Sequence, residues 1–101
     1  MRRGEVWWAT LPAGRRPVVV LTRDAAIPLL GTVTVAPMTT RVRGIPTEVP
    51  LGVSDGVPRP GVVSLDNVQI LPKRSLRRRI TSLSAARLDQ VCDALRYALG
   101  C

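Results

Sequence analysis

The sequence contains no histidine and no phenylalanine, and it has only two cysteines. Without histidine, the Ser–His and Cys–His pairs that many hydrolases use for nucleophilic catalysis are excluded. Cys92 and Cys101 would lie about 13 Å apart if both were helical, which is beyond the reach of a disulfide. We therefore expect two free thiols, no metal site and no cofactor.

Long apolar runs and a glycine-rich phosphate loop are also absent. No apolar stretch approaches the roughly 18 residues of a membrane span, and the basic N-terminus is not followed by a signal-peptide core. We therefore expect a cytoplasmic protein without membrane contact. No GxxxxGK pattern occurs, which argues against a nucleoside triphosphatase.

Basic residues are abundant. The chain has 15 Lys and Arg against 7 acidic residues, a formal charge of +8, and all but one of the bases are arginine. Arginine grips phosphate with a planar fork of donors, so a nucleic-acid partner is favoured. With 46% apolar residues in 101 positions, the composition predicts one globular domain spanning residues 1–101.

The hydrophobic pattern predicts five to seven short strands followed by one helix. The run RPVVVLTR (16–23) is typical of a strand buried on both faces, and TVTVAPM (32–38) alternates, with Pro37 marking an edge, a bulge or the strand's end. Ser84 is a predicted N-cap. The helix after it carries an apolar stripe of Leu88, Val91, Cys92, Leu95 and Leu99. This order predicts an α+β fold, a small and mostly antiparallel barrel or curled sheet with a C-terminal amphipathic helix.

Polar residues stand where two predicted strands begin or end. Arg16 precedes the buried strand, so it is either a solvated loop arginine or a guanidinium fixed toward a phosphoryl group. Thr39 and Thr40 follow TVTVAPM beside Arg41 and Arg43. Their hydroxyls either satisfy turn backbone groups or contact phosphate.

Two further pairs have alternative interpretations. Asp66 and Asn67 interrupt the apolar run at 62–71, either as an Asx turn or as a polar pair that supports catalysis or reads a base. Trp7 and Trp8 must face opposite ways in a strand, so one is expected in the core and the other near the surface. The basic cluster 74–79 indicates attraction to a phosphate backbone or to an acidic partner segment.

Four stretches together resemble one known family, the MazF/PemK toxins, which are the endoribonucleases of type II toxin–antitoxin systems. The stretches are RRGEVWWATLP, GRRPVVVLTRD, TVAPMTTRVRGIPTEVPL and GVVSLDNVQILPK. The resemblance implies an SH3-like antiparallel barrel and a homodimer. It also implies metal-independent, sequence-specific cleavage of single-stranded RNA. Attack by the 2′-hydroxyl would give a 2′,3′-cyclic phosphate and a 5′-hydroxyl, and an acidic antitoxin would neutralise the enzyme.

By position, the resemblance places the family's catalytic arginine on Arg16 and its catalytic threonine on Thr39. Thr40 falls on a neighbouring position that contacts RNA in some members, and Asp66 on an acidic position proposed as general base in some. Where that subfamily has an arginine two residues earlier, this chain has Ser64, so the resemblance favours the version with Arg16 and Thr39.

RNA binding is expected to involve Arg15, Arg41, Arg43 and Asn67, with the basic loop following the RNA backbone. Two alternatives remain at this point. One is a CcdB-like gyrase poison. The C-terminal sequence DALRYALGC argues against it, because it lacks the tryptophan that those poisons use. The other is a non-catalytic RNA-binding barrel, for which the charge and strand pattern would suffice.

Overall fold

The computed structural model describes residues 1–101, which form one antiparallel sheet of seven strands and one helix. The strands are β1 (Glu5–Leu11), β2 (Gly14–Val20), β3 (Thr32–Thr39), β4 (Glu48–Leu51), β5 (Gly61–Ser64), β6 (Gln69–Pro72) and β7 (Leu76–Ser82), and the helix is α1 (Ala85–Leu99). Single 3-10 turns occur at Ile27–Leu29, Val53–Asp55, Leu65–Asn67 and Lys73–Ser75. The predicted α+β class and the interruption at Asp66 and Asn67 are confirmed.

The strands pair in the order β4-β5-β3-β2-β1-β7, and β6 pairs with β3 beside this path. The two end strands, β4 and β7, do not pair with each other, so backbone hydrogen bonds do not close the sheet into a ring. Helix α1 packs instead against β4 and the 65–67 turn. The sheet and helix of the predicted architecture are therefore present, without closure of the barrel by strand pairing.

Both faces of the central strands are buried. On the helix side Val19 joins an apolar cluster with Val91 and Ala94 of α1, whereas Val18 and Val20 join a second cluster on the opposite side. All three valines of β2 have no exposed surface. The prediction of a strand buried on both faces is confirmed, and it follows from side chains alternating across the sheet.

Pro37 does not end its strand, because β3 continues to Thr39. The reason lies in the pairing of β3, which bonds to β6 over Thr32–Val35 and to β5 at Met38 and Thr39. Pro37 falls between these two partners. A residue without an N–H is tolerated there, since no ladder bond on that side requires one.

Helix α1 is fixed at its N-terminal end by two polar contacts. Ser84 accepts a hydrogen bond from the Arg87 N–H, which confirms the predicted N-cap. The Arg87 guanidinium donates to both carboxylate oxygens of Asp55, at 2.9 and 3.4 Å, and together with the Gly52 N–H it lowers the pKa of Asp55. The predicted apolar stripe is wrong at Leu99, which is 64% exposed, since Ala98 is the residue of the last turn that packs on the core. No helix is both long and apolar enough to span a membrane.

Candidate active site

The beginning of β2 and the end of β3 bring Arg16 and Thr39 together. These strands pair antiparallel from Val20 opposite Val35 to Val18 opposite Pro37. Continuing this register by two residues places Arg16 opposite Thr39. The Arg16 Nη1 atom lies 3.5 Å from the carbonyl oxygen of Met38, so the guanidinium reaches the strand backbone of the residue just before Thr39.

The surroundings of Thr39 fix its hydroxyl and its backbone. Its Oγ1 accepts a hydrogen bond of 3.1 Å from the N–H of Arg41, which leaves the hydroxyl proton free to donate. The turn contact predicted for this residue is therefore present, and a donor remains available for a ligand. Gly61 of β5 lies against the carbonyl of Thr39, where an added Cβ would come within 2.6 Å of the oxygen.

A first cleft of about 390 Å³ opens on one side of this pair. Ser64 and the loop of Pro12 and Ala13 line part of it. Its other polar walls are formed by Arg16, Thr39, Arg41, Arg43, Asn67 and Gln69. The structure thus brings both arginines of the predicted basic loop to the same cavity as the candidate catalytic pair. Gln69 was not singled out from the sequence.

A second cleft of about 550 Å³ opens on the other side and is lined by Trp8, Arg15, Thr40 and Arg59. Arg16 and Thr39 line this cleft as well, so they are common to both clefts, and we call this shared pair the ridge. The guanidinium of Arg15 lies 5.0 Å from the centre of the Trp8 ring, a cation–π contact. Of the two tryptophans, Trp7 packs on the core and Trp8 borders the cleft, as expected for neighbours on a strand.

The basic loop is held by a residue that the sequence reasoning did not select, Glu48. Its Oε1 accepts hydrogen bonds from the N–H groups of Arg43 and Gly44, at 2.9 and 3.0 Å. A carboxylate that receives two backbone N–H groups holds the loop against the start of β4. Glu48 lies within the family-like stretch TVAPMTTRVRGIPTEVPL, but its role depends on a loop conformation that spacing does not reveal.

Asp66 and Asn67 have different positions. The carboxylate of Asp66 accepts a hydrogen bond from the buried hydroxyl of Thr47, and Asp66 lines neither cleft. Asn67 lines the first cleft and donates to the Ser64 hydroxyl at 2.7 Å, which leaves its amide oxygen unoccupied. Asp66 therefore makes a structural contact, whereas Asn67 faces the first cleft.

The two clefts have an uncompensated positive lining. No aspartate or glutamate lines either of them. The ion pairs of the chain involve Arg2, Arg79, Arg87 and Arg96, none of which lines these clefts. No group of three or more His, Cys, Asp or Glu residues is placed to hold a metal ion. The arrangement is suited to a polyanion whose charge the arginines neutralise.

Comparison with known proteins agrees with this site. A family model described as "PemK-like, MazF-like toxin of type II toxin-antitoxin system" matches residues 2–99. The chain is 48% identical over 102 residues to the probable endoribonuclease MazF2 of Mycobacterium tuberculosis, with 100% of both chains covered. It is also 48% identical over 101 residues to the probable endoribonuclease MazF5 of that organism, covering 98% of this chain and 93% of the relative.

Solved structures share the fold. The Mycobacterium tuberculosis toxin MazF-mt6 superposes with a TM-score of 0.89 at 42% identity, covering 95% of this chain and 96% of that chain. An endoribonuclease from Mycobacterial species, solved in complex with its cognate antitoxin, gives a TM-score of 0.92 at 31% identity, covering 99% and 95%. Because the family model spans nearly the whole sequence and these likenesses extend over the same length, the chain belongs to the PemK/MazF family of toxins of type II toxin–antitoxin systems.

Proposed function

We propose that this toxin is an endoribonuclease that cuts single-stranded RNA on the ridge formed by Arg16 and Thr39. The observation that carries the proposal is that these two residues line both clefts. An RNA strand that occupies both clefts must cross the ridge, which puts a phosphodiester beside the guanidinium and the hydroxyl. Bases on either side of that phosphate then lie in separate cavities, where their edges can be read.

The proposed reaction is transfer of the phosphodiester to the neighbouring 2′-oxygen. The 2′-oxygen bonds to phosphorus and loses its proton to solvent, while the bond from phosphorus to the 5′-oxygen breaks and that oxygen takes up a proton. The products are a 2′,3′-cyclic phosphate and a 5′-hydroxyl. Arg16 stabilises the charge that grows on the nonbridging oxygens, and a preorganised donor of this kind contributes about 3–4 kcal/mol. Thr39 donates a hydrogen bond from its free hydroxyl to one of those oxygens.

No side chain of the ridge is assigned as general base. A guanidinium stays protonated in proteins and so cannot accept the proton, and the chain has no histidine. We assign Asp66 to support of the 65–67 turn through its bond with Thr47, since it lines neither cleft. With the proton passing to solvent, the cleavage rate is expected to rise by about tenfold per pH unit near neutrality, without the bell shape that a paired acid and base produce.

The remaining predicted residues are proposed to bind RNA on either side of the cut. Arg41, Arg43 and Asn67 contact the strand in the first cleft, and Arg15 and Thr40 in the second. The arginines supply affinity that is sensitive to salt, because each neutralised phosphate releases counterions. The base edges are read by Asn67, whose amide oxygen is unoccupied, and by other polar groups in the walls.

Partners and location complete the proposal. An acidic antitoxin segment competes with RNA for the positive clefts, and the net charge of +8 supports such a partner. The segment folds as it binds. One relative of the same fold has been solved with its cognate antitoxin. We propose, in addition, that the toxin acts as a homodimer in the cytoplasm.

The test uses a long single-stranded RNA incubated with purified toxin in excess EDTA, followed by mapping of new 5′-hydroxyl ends. Site-specific cuts are expected in wild type, with a roughly 100-fold to 1,000-fold slower rate in Arg16→Ala. Thr39→Val, which removes only the hydroxyl, should also slow cleavage. Arg23→Ala is the matched control, because Arg23 is exposed and lines neither cleft.

Three outcomes would contradict the proposal. RNA that is shifted on a gel but never cut would identify a non-catalytic binding protein. Accumulation of gyrase cleavage complexes without RNA cleavage would identify a gyrase poison. Cleavage that stops in EDTA and returns with a divalent cation would assign the chemistry to a metal ion instead of the ridge.

A further inference from the structure

A third cleft, of about 240 Å³, continues the track of the first two. It is lined by Trp8, Gly56, Pro58, Arg78, Arg79 and Ile80. Trp8 and Pro58 also line the second cleft, just as Arg16 and Thr39 line both the first and the second. The second cavity therefore adjoins both the first and the third, and no acidic residue lines any of the three.

The arginines of the third cleft come from β7, where two bulges alter the usual alternation. In the pairing of β1 with β7, Trp8 lies opposite Arg78 and Trp7 opposite Arg79, while Arg77 falls in the bulge between Leu76 and Arg78. Arg79 is held 3.4 Å from the carboxylate of Glu5. Arg78 is exposed and makes no ion pair, and Arg77 lines none of the three clefts.

From this geometry we infer that the third cleft is an outer subsite for the same RNA strand, in which Arg78 binds a phosphate beyond the nucleotide held in the second cleft. The inference rests on the proposed function for the identity of the strand. Trp8 stands at the boundary with one face covered by the Arg15 guanidinium, so a base can stack on the indole as the strand passes from cleft to cleft.

RNA is favoured over an acidic peptide as the occupant of this subsite for two reasons. The third cleft adjoins the second, which the ridge lines, so a strand placed for cleavage runs on into the third cleft without leaving the surface. The lining also combines guanidinium groups, which can bind phosphates, with an indole on which a base can stack, as a single strand requires. A peptide carboxylate would use the arginines but not the aromatic platform.

The test compares Arg78→Gln with Arg77→Gln, two variants with the same change of charge on the same strand. The probes are single-stranded oligonucleotides of mixed sequence that lack every 2′-hydroxyl, about 5 and about 12 nucleotides long, so that binding is measured without cleavage. The dissociation constant is measured over a range of salt concentrations. With the long probe, Arg78→Gln should reduce the slope of log affinity against log salt by about 0.7 more than Arg77→Gln does. With the short probe this difference should shrink.

The readouts separate this inference from the proposed function. If wild type fails to cut RNA but Arg78→Gln still shows the additional loss of slope, the outer subsite stands and the cleavage proposal falls. If the two variants lose the same slope, Arg78 adds only to the general positive field and the subsite is refuted. It is equally refuted if Arg78→Gln weakens binding of an acidic antitoxin peptide while oligonucleotide binding matches that of Arg77→Gln.

Discussion

Replacing Glu48 by alanine should loosen the basic loop without unfolding the protein. The carboxylate accepts bonds of 2.9 and 3.0 Å from the Arg43 and Gly44 N–H groups, and hydrogen bonds to a charged group contribute about 1.5–3 kcal/mol each. Because the loop is exposed, the freed N–H groups bind water, which offsets much of that loss. We therefore take about 1.5–3 kcal/mol as the total for both bonds.

This free energy converts into a loss of RNA binding. If the loop must be ordered to bind, the ratio of its ordered to its disordered form falls by about tenfold for each 1.4 kcal/mol, and the apparent dissociation constant rises by at most the same factor. Glu48→Ala should thus weaken binding, with an upper limit of about 10-fold to about 100-fold. Glu48→Gln keeps a neutral acceptor, and because charge-assisted bonds are about twice as strong as neutral ones, roughly half of the free energy should be retained.

Two measurements check the prediction for Glu48. Amide hydrogen exchange should show lost protection at Arg43 and Gly44 in the alanine variant, and RNA binding is measured on the same preparations. The free energy of unfolding, measured in urea, serves as the control. It should fall by much less than the free energy of opening the loop. Lost protection with unchanged RNA binding would refute the reasoning, because the order of the loop would then have no use in recognition.

Three further predictions concern stability and geometry. Hydrogen bonds lower the pKa of Asp55 from its ordinary value of 3.8, so they stabilise the fold at pH values above 3.8. This stabilisation is lost as the pH falls through the lowered pKa. The urea midpoint should therefore drop less on acidification in Asp55→Asn than in wild type. Gly61→Ala should slow RNA cleavage, because the new Cβ would lie 2.6 Å from the carbonyl oxygen of Thr39 and would displace that residue. The control is Gly52→Ala, whose new Cβ would have no atom within 4 Å, so this variant should cleave RNA as wild type does. Ser84→Ala should cost about 1 kcal/mol in urea unfolding through loss of the helix cap.

Local patterns predicted the elements of this fold well where one residue type decides the outcome. The valine run of β2 and the N-cap Ser84 are examples, because each depends on neighbours within a few positions. Pro37 shows the limit. The effect of Pro37 depends on which strands pair with β3 before and after this residue. The partner changes there from β6 to β5, and both partners lie about 30 positions away in sequence.

The candidate site was predictable to a similar extent. Arg16 and Thr39 were selected through the family resemblance, and the register of β2 against β3 supplies the physical reason that they meet. Glu48 and Gly61 were missed because their roles depend on contacts across strands, a carboxylate under a loop and a glycine under a carbonyl. A polar residue just after the basic loop could have indicated the first of these. Nothing in the sequence distinguished Gly61 from the turn glycines near it.

The placement of the site at the ends of β2 and β3 separates chemistry from recognition. Both strands have buried apolar side chains on each face, so the backbone that carries Arg16 and Thr39 is held by packing on two sides. A preorganised transition-state donor needs that rigidity, since its contribution depends on avoiding reorganisation. The cleft walls also include loop residues that the core does not fix, among them Arg41 and Arg43 of the loop held by Glu48. Substitutions in these loops can therefore change the RNA sequence that is recognised while the ridge that cleaves it keeps its geometry.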